Sequence, residues 1–216
     1  MKVGLHIAIW TIAIAIAGAF DAPVARTMRE SGVEHFLHAH ARLRDTLKFP
    51  GYFGFTLLAV IIPVSLLHRA RWRAGLFVLL ATATSTSNLL FKWMAGRSRP
   101  FKPPDGSGRL VPFELHPFPA DGTNLCFPSG HACLAFATAA ALAMLCSHNG
   151  GCPRSKWRWT FYLVATLVAV ERFAENAHWL SDTVAAAALG IGGAHLVGWL
   201  FSSSWKINLN DPTSRS

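Results

Sequence analysis

Lys92, Arg99 and Arg172 are strong cations at the ends of apolar stretches, in "KWMAGRSRP" and "ERFAENAHWLSD". No carboxylates obviously match them, and three such cations call for an anion with several oxygens. Phosphate fits, because arginine grips it with a planar fork and lysine as a point charge. Ser129 and Gly130 open another apolar run in "CFPSGHACLAF". Exposed backbone N–H groups at a helix start favour an anion, and glycine lets it come close. His178 and Asp182 are four positions apart, hence on one helical face. A carboxylate on one ring nitrogen fixes the tautomer and leaves the other nitrogen free to attack. His131 then remains to protonate a leaving oxygen. No cluster of carboxylates is available to hold magnesium, so the cations themselves must neutralise a transferring group. Neither a metal nor a cofactor is expected. Two residues keep alternatives. Ser129 either contacts phosphate or only caps its helix, and Arg97 touches phosphate or only the membrane interface.

These residues must be gathered by the elements that carry them. The chain of 216 residues is 52% hydrophobic and only 14% charged, with mean hydropathy +0.33. Soluble domains carry about 25% charged residues, so the missing charge points to a bilayer. The net charge of +9 is spread between apolar runs rather than set in one patch. That favours anionic lipid headgroups as partners over nucleic acid. Apolar segments at 3–20, 52–67, 74–95, 131–146, 157–173 and 183–201 predict an all-α bundle of six membrane spans, forming one domain over 1–216. Residues 21–51 read partly as an amphipathic interfacial helix between the first two spans. Val33, Phe36, Leu37 and Leu47 fall at near-helical spacing, with Arg42, Arg44 and Lys48 nearby. In a six-span serpentine, the ends of spans three and five and the starts of spans four and six share one face, opposite the termini. The alternation alone therefore collects the cations, both histidines and Asp182 at one membrane surface. Ionisable groups at such depths point to function.

Short basic loops, "HRARWR" at 68–73 and "PRSKWR" at 153–158, lie on the side of the termini and prefer the cytoplasm. Both termini are therefore expected inside, and the site at the outer, periplasmic or extracellular face. The first apolar stretch reads as an uncleaved anchor in preference to a signal peptide cut near Ala17-Gly18-Ala19. The loop at 101–127 carries Phe101, Phe113, Phe118 and Phe127, which seat it in the interface or line a path for lipid. Asp105, Glu114 and Asp121 read as solvated loop charges. Cys126, Cys133, Cys146 and Cys152 read as separate thiols, with a Cys146–Cys152 bridge as the alternative. His35, His38 and His40 in "HFLHAH" read as part of the interfacial helix in preference to a metal cluster.

The motifs together resemble the type 2 phosphatidic acid phosphatase superfamily, which includes the vanadium haloperoxidases. Lys, six residues, Arg-Pro matches Lys92, Arg99 and Pro100. Pro-Ser-Gly-His matches Pro128 to His131. Arg, five residues, His, three residues, Asp matches Arg172, His178 and Asp182. Glu171 stands where the family often has serine, and a carboxylate there either turns away or weakens phosphate binding. The resemblance implies a phosphohistidine on His178, oriented by Asp182. Lys92, Arg99, Arg172, Ser129 and the Gly130 amide would hold the phosphoryl oxygens, and His131 would act as acid and then base, without a metal. The expected activity is an integral-membrane lipid phosphate phosphatase. Candidate substrates are phosphatidylglycerophosphate, phosphatidic acid, undecaprenyl pyrophosphate and phosphorylated lipid A. The alternatives are a lipid phosphotransferase sharing the phosphohistidine, a vanadate-dependent oxidant enzyme, disfavoured by the apolar spans, and an inactive lipid-phosphate-binding protein.

Overall fold

A computed structural model of the protein describes residues 3–67, 71–100, 110–111, 115–119, 122, 124–148 and 156–204. The described residues are helical apart from short connections. In chain order the α-helices are α1 (Val3–Ala19), α2 (Asp21–Glu30), α3 (Val33–Ala39), α4 (Ala41–Lys48), α5 (Phe53–Phe55), α6 (Ile62–Leu67), α7 (Arg71–Ala83), α8 (Asn88–Ala95), α9 (Gly130–His148), α10 (Lys156–Ala174) and α11 (Leu180–Ser204). A 3₁₀ turn at Phe49–Gly51 follows α4. A π turn at Thr56–Ile61 joins α5 to α6, and a 3₁₀ turn at Thr84–Ser87 joins α7 to α8.

Helix α9 is the centre of the bundle, with α11, α10 and α7 packed around it. Its sequence explains this position. Ala132, Cys133, Ala137, Ala140 and Ala141 are fully buried, and side chains this small let neighbouring helices approach closely. Gly190 of α11 completes the contact, because a Cβ there would lie 2.8 Å from the Ala137 nitrogen and closer still to the Cys133 carbonyl. Leu5, Ile7, Ile9, Ile12 and Ile16 of α1 point outward, as side chains facing lipid do.

Among the described residues, two helical stretches are long and apolar enough to cross a membrane, Trp72–Ala95 and Leu180–Phe201. Two bent pairs qualify if each counts as one span: Gly4–Ala19 with Asp21–Glu30, bent by 47°, and Ala41–Gly51 with Phe53–Leu67, bent by 61°. That makes up to four against the expected six. Helices α9 and α10 cover the fourth and fifth apolar segments but do not meet that standard of length and composition.

The run Thr84-Ser85-Thr86-Ser87 explains the tightened turn inside the third apolar segment. Each hydroxyl donates to the carbonyl three residues back, at 2.6–2.7 Å. Such local bonds compete with the α-helical ladder. Residues 21–51 fold as three short helices rather than one. Leu37 and Ala25 are buried, while Phe36 and Val33 remain exposed.

Candidate active site

Lys92 lies in the last turn of α8. Gly96 ends that helix in the left-handed conformation at φ +57°, and its N–H donates to the Lys92 carbonyl at 2.9 Å, a common glycine stop. A side chain at Gly96 would also strike the His116 carbonyl. The chain then runs extended, with Arg97 bridged to Leu115 and Ser98 to Leu125. Cys126, just before α9, donates its N–H to the Arg97 carbonyl at 2.9 Å and its thiol to the Ser98 carbonyl, which ties this stretch to the approach to α9. There the Ser129 carbonyl accepts the Cys133 N–H at 3.0 Å, and the Ser129 N–H donates to the Asp182 carbonyl at 3.2 Å. Ser129 Oγ is wholly buried and has no hydrogen-bond partner among the described residues, so within them its hydroxyl caps nothing.

The turn from α10 to α11 sets the other half of the site. Asn176 adopts a left-handed conformation at φ +55°, and the His178 N–H donates back to the Arg172 carbonyl at 3.1 Å. Arg172 and His178 are thereby fixed side by side. Asp182, in the first turn of α11, accepts the Trp179 N–H on Oδ2 at 2.9 Å. The same oxygen lies 3.6 Å from His178 Nδ1, beyond hydrogen-bond distance. Nδ1 thus faces the carboxylate, and Nε2 is the nitrogen left for chemistry. Burial pushes His178 down to about 4, against the opposing pull of Asp182, so the ring is neutral at neutral pH and carries a free lone pair.

His131 is in electrostatic reach of Arg172, His178, Lys48 and Lys92. Lys92 is in reach of Arg99, Arg172 and Asp182. The motif residues Lys92, Arg99, Ser129, Gly130, His131, Arg172, His178 and Asp182 are therefore brought to one place from α8, α9, α10 and α11.

Several neighbours differ from the sequence expectation. Arg97 is 3% exposed, and its guanidinium is held by carboxylates. Nη1 donates to Asp182 Oδ1 at 2.5 Å and Ser181 Oγ at 2.8 Å, and Nη2 donates to Asp21 Oδ2 at 2.6 Å. Nor is Arg172 without matching carboxylates. Its Nε donates to Glu171 Oε2 at 2.7 Å, and Nη2 donates to Glu171 Oε1 at 2.9 Å and to Glu175 Oε1. Glu171 therefore turns onto Arg172 and pairs with it through both oxygens. Burial raises Glu175, against the lowering by Arg172; Glu171 raises it further, and Lys48 and Arg44 lower it.

The segment read as interfacial also reaches this place. Arg44 Nε lies 3.6 Å from Glu175 Oε2. The Tyr52 ring meets the His131 ring edge-on at 4.7 Å. Gly51 abuts His131 so closely that a Cβ would fall 2.8 Å from the His131 Cβ. The sequence held one usable signal for Asp21, a carboxylate directly after an apolar stretch. For Glu175, Arg44 and Tyr52 it held none.

His40 Nδ1 lies 2.9 Å from the Phe36 carbonyl and its ring stacks on Phe36. No group of three or more His, Cys, Asp or Glu residues among the described residues could hold a metal ion. Phe118 meets Trp93 edge-on at 4.7 Å and is exposed. Cys126 and Cys133 are free thiols. Phe101, Phe113, Asp105, Glu114, Asp121 and Cys152, with the alternative bridge to Cys146, lie outside the described residues.

Comparison with curated proteins finds no match. Among solved structures the chain resembles the crystal structure of the first transmembrane PAP2 type phosphatidylglycerolphosphate phosphatase from Bacillus subtilis. The TM-score is 0.56 and the identity 21%, over 90% of this chain and 98% of that one. At that identity the likeness concerns the fold. Residues 71–206, well over half the chain and including every motif residue named above, match the family model of the PAP2 superfamily, and it is to this superfamily that the chain belongs.

Proposed function

We propose that the protein is an integral-membrane lipid phosphatase that works through a phosphohistidine. The observation that carries this reading is the convergence of two histidines and three cations on one spot, with Asp182 behind His178. His178 Nε2 attacks phosphorus, a P–N bond forms, and the P–O bond to the lipid oxygen breaks. His131 gives its proton to that oxygen. Asp182 steadies the ring as it gains positive charge. Lys92, Arg99, Arg172, the Gly130 amide and the buried Ser129 hydroxyl neutralise the phosphoryl oxygens, which is where electrostatic catalysis is most effective. A water then attacks phosphorus, His131 takes its proton, the P–N bond breaks, and inorganic phosphate leaves. No step calls for a metal.

The substrate class follows from chemistry and surroundings together. A cation-lined site at the ends of apolar helices suits an anionic headgroup whose tail stays in the bilayer. The protein of similar fold is a phosphatidylglycerolphosphate phosphatase, and on that support we rank this lipid first among the candidates, ahead of phosphatidic acid, undecaprenyl pyrophosphate and phosphorylated lipid A. A six-span arrangement, with termini inside and the site at the outer face, is the topology that goes with this reading.

The test is inorganic phosphate release from those four lipids by purified protein in detergent, with EDTA present. EDTA-resistant release from at least one, lost in His178→Ala, is the expected result. Phosphoryl transfer to an added acceptor lipid, without release of inorganic phosphate, would point to a phosphotransferase. Binding without release, by folded protein, would point to an inactive lipid binder.

A further inference from the structure

Asp21 sits in the first turn of α2, outside the residues 71–206 that match the family model. It is 1% exposed, which is rare for a carboxylate without a function or a partner. Its partners all belong to the catalytic corner. Oδ1 accepts the Ser181 N–H at 2.8 Å, and Oδ2 accepts the Ser181 hydroxyl at 2.6 Å and Arg97 Nη2 at 2.6 Å. Arg97 in turn donates to Asp182 Oδ1, and its guanidinium lies over the Trp179 ring at 5.2 Å. A continuous line of contacts therefore runs from Asp21 through Arg97 to Asp182 and on to His178. Both ends of the guanidinium fork are occupied by carboxylates, so its orientation is determined. With Oδ1 of Asp182 held by Arg97 and Oδ2 turned to the Trp179 N–H and His178, the carboxylate has one orientation left.

From this geometry we infer that Asp21 is a positioning residue for the phosphoryl transfer assigned above to His178: it holds Arg97 so that Arg97 fixes Asp182 against the His178 ring. The inference rests on that reading of the site. Asp21 also balances Arg97. With Asp21 present the buried trio carries two negative charges and one positive, so Asp182 keeps negative charge to offer an imidazole that becomes cationic. Without that balance Arg97 would neutralise Asp182 alone. Outer partners that orient metal-bound histidines are worth on the order of 10–100-fold in activity, and the same scale is expected for a partner that orients Asp182.

Asp21→Asn separates this role from simple attachment of α2. Asparagine keeps a carbonyl oxygen for the Ser181 N–H but loses the charge on Arg97. Glu34→Ala is the attachment control, because Glu34 Oε2 accepts Asn176 Nδ2 at 2.6 Å and pairs with Arg29 of α2 at 3.4 Å, and Glu34 lies outside the turn that sets Arg172 and His178. The wild-type chain is measured first: if it releases no phosphate from any lipid, the functional reading fails and not this inference alone. With wild-type activity in hand, Asp21→Asn is expected to lose about 10-fold or more in kcat with KM within about 2-fold, since Lys92, Arg99 and Arg172 are untouched. Glu34→Ala is expected to lose far less. Wild-type kcat in Asp21→Asn, or an equal loss in Glu34→Ala, would overturn the inference. Should Asp21→Asn not fold, Ser181→Ala removes only the hydroxyl shared by Asp21 and Arg97. A fall of a few-fold in kcat at unchanged KM supports the inference, and an unchanged kcat overturns it.

Discussion

Arg172 is held by two buried carboxylates, so replacing it should cost stability as well as turnover. Three donor contacts reach Glu171 and Glu175, which are 2% and 6% exposed. In Arg172→Ala both acids lose that partner where water does not easily replace it. Glu175 retains Arg44 at 3.6 Å, so Glu171 bears most of the loss. Breaking a buried pair from one side costs about 3–5 kcal/mol. Adding Glu171→Gln removes the stranded charge, so the double variant should be more stable than Arg172→Ala by about 2 kcal/mol. The cycle is then non-additive, as expected for groups in direct contact. Equilibrium unfolding in mixed detergent micelles reads the stability, and phosphate release reads the chemistry. Turnover should stay about 10²–10³-fold down in both Arg172 variants, since each lacks the cation proposed to hold phosphate. Additive losses, or an Arg172→Ala chain as stable as wild type, would refute the view that Glu171 and Arg172 act as one buried pair.

Stability should also depend on pH through His178. The folded chain keeps this ring neutral down to about 4, whereas its ordinary value is 6.5. Between those values the unfolded chain binds the extra proton, so stability is full above about 6.5 and falls as pH drops to about 4, by about 3 kcal/mol. His178→Gln should flatten that part of the slope in an unfolding series, and an unchanged slope would contradict the buried neutral ring. At Tyr52, the edge-on contact with His131 is an aromatic pair worth about 0.5–1.5 kcal/mol. Tyr52→Ala should therefore lower kcat a few-fold while Tyr52→Phe leaves it unchanged; equal losses in both would assign the effect to the hydroxyl instead.

The candidate site residues, which the fold brings together, stand out in the sequence because their chemistry is conspicuous. Cations and histidines next to apolar runs stand out, and His178 and Asp182 declare their common helical face by spacing alone. The helices were legible for the same reason. The last apolar segment, read at 183–201, folds as Leu180–Ser204, and the fourth, read at 131–146, as Gly130–His148. What could not be read was pairing across long separations. Arg97 and Asp21 are 76 positions apart, and no local period tells an arginine whether it will meet phosphate, lipid headgroups or a carboxylate. Glu171 posed the same difficulty in reverse. Its neighbour Arg172 was assigned wholly to substrate, although a guanidinium has five donors and can serve a carboxylate and a phosphate together. Residues 21–51 carried an amphipathic pattern, but the pattern is silent on what the polar face touches. Here Asp21 of α2 and Arg44 of α4 reach the candidate site from two separate short helices.

The most direct measurement on the central claim is to trap the covalent intermediate. The protein would be incubated with lipid bearing a radiolabelled terminal phosphate, quenched in base and digested. The account predicts base-stable, acid-labile label on the peptide holding His178, present in wild type, accumulating when His131 is replaced by Asn in a substrate with a good leaving group, and absent in His178→Asn. Label on another residue, or undiminished turnover in His178→Asn, would contradict it.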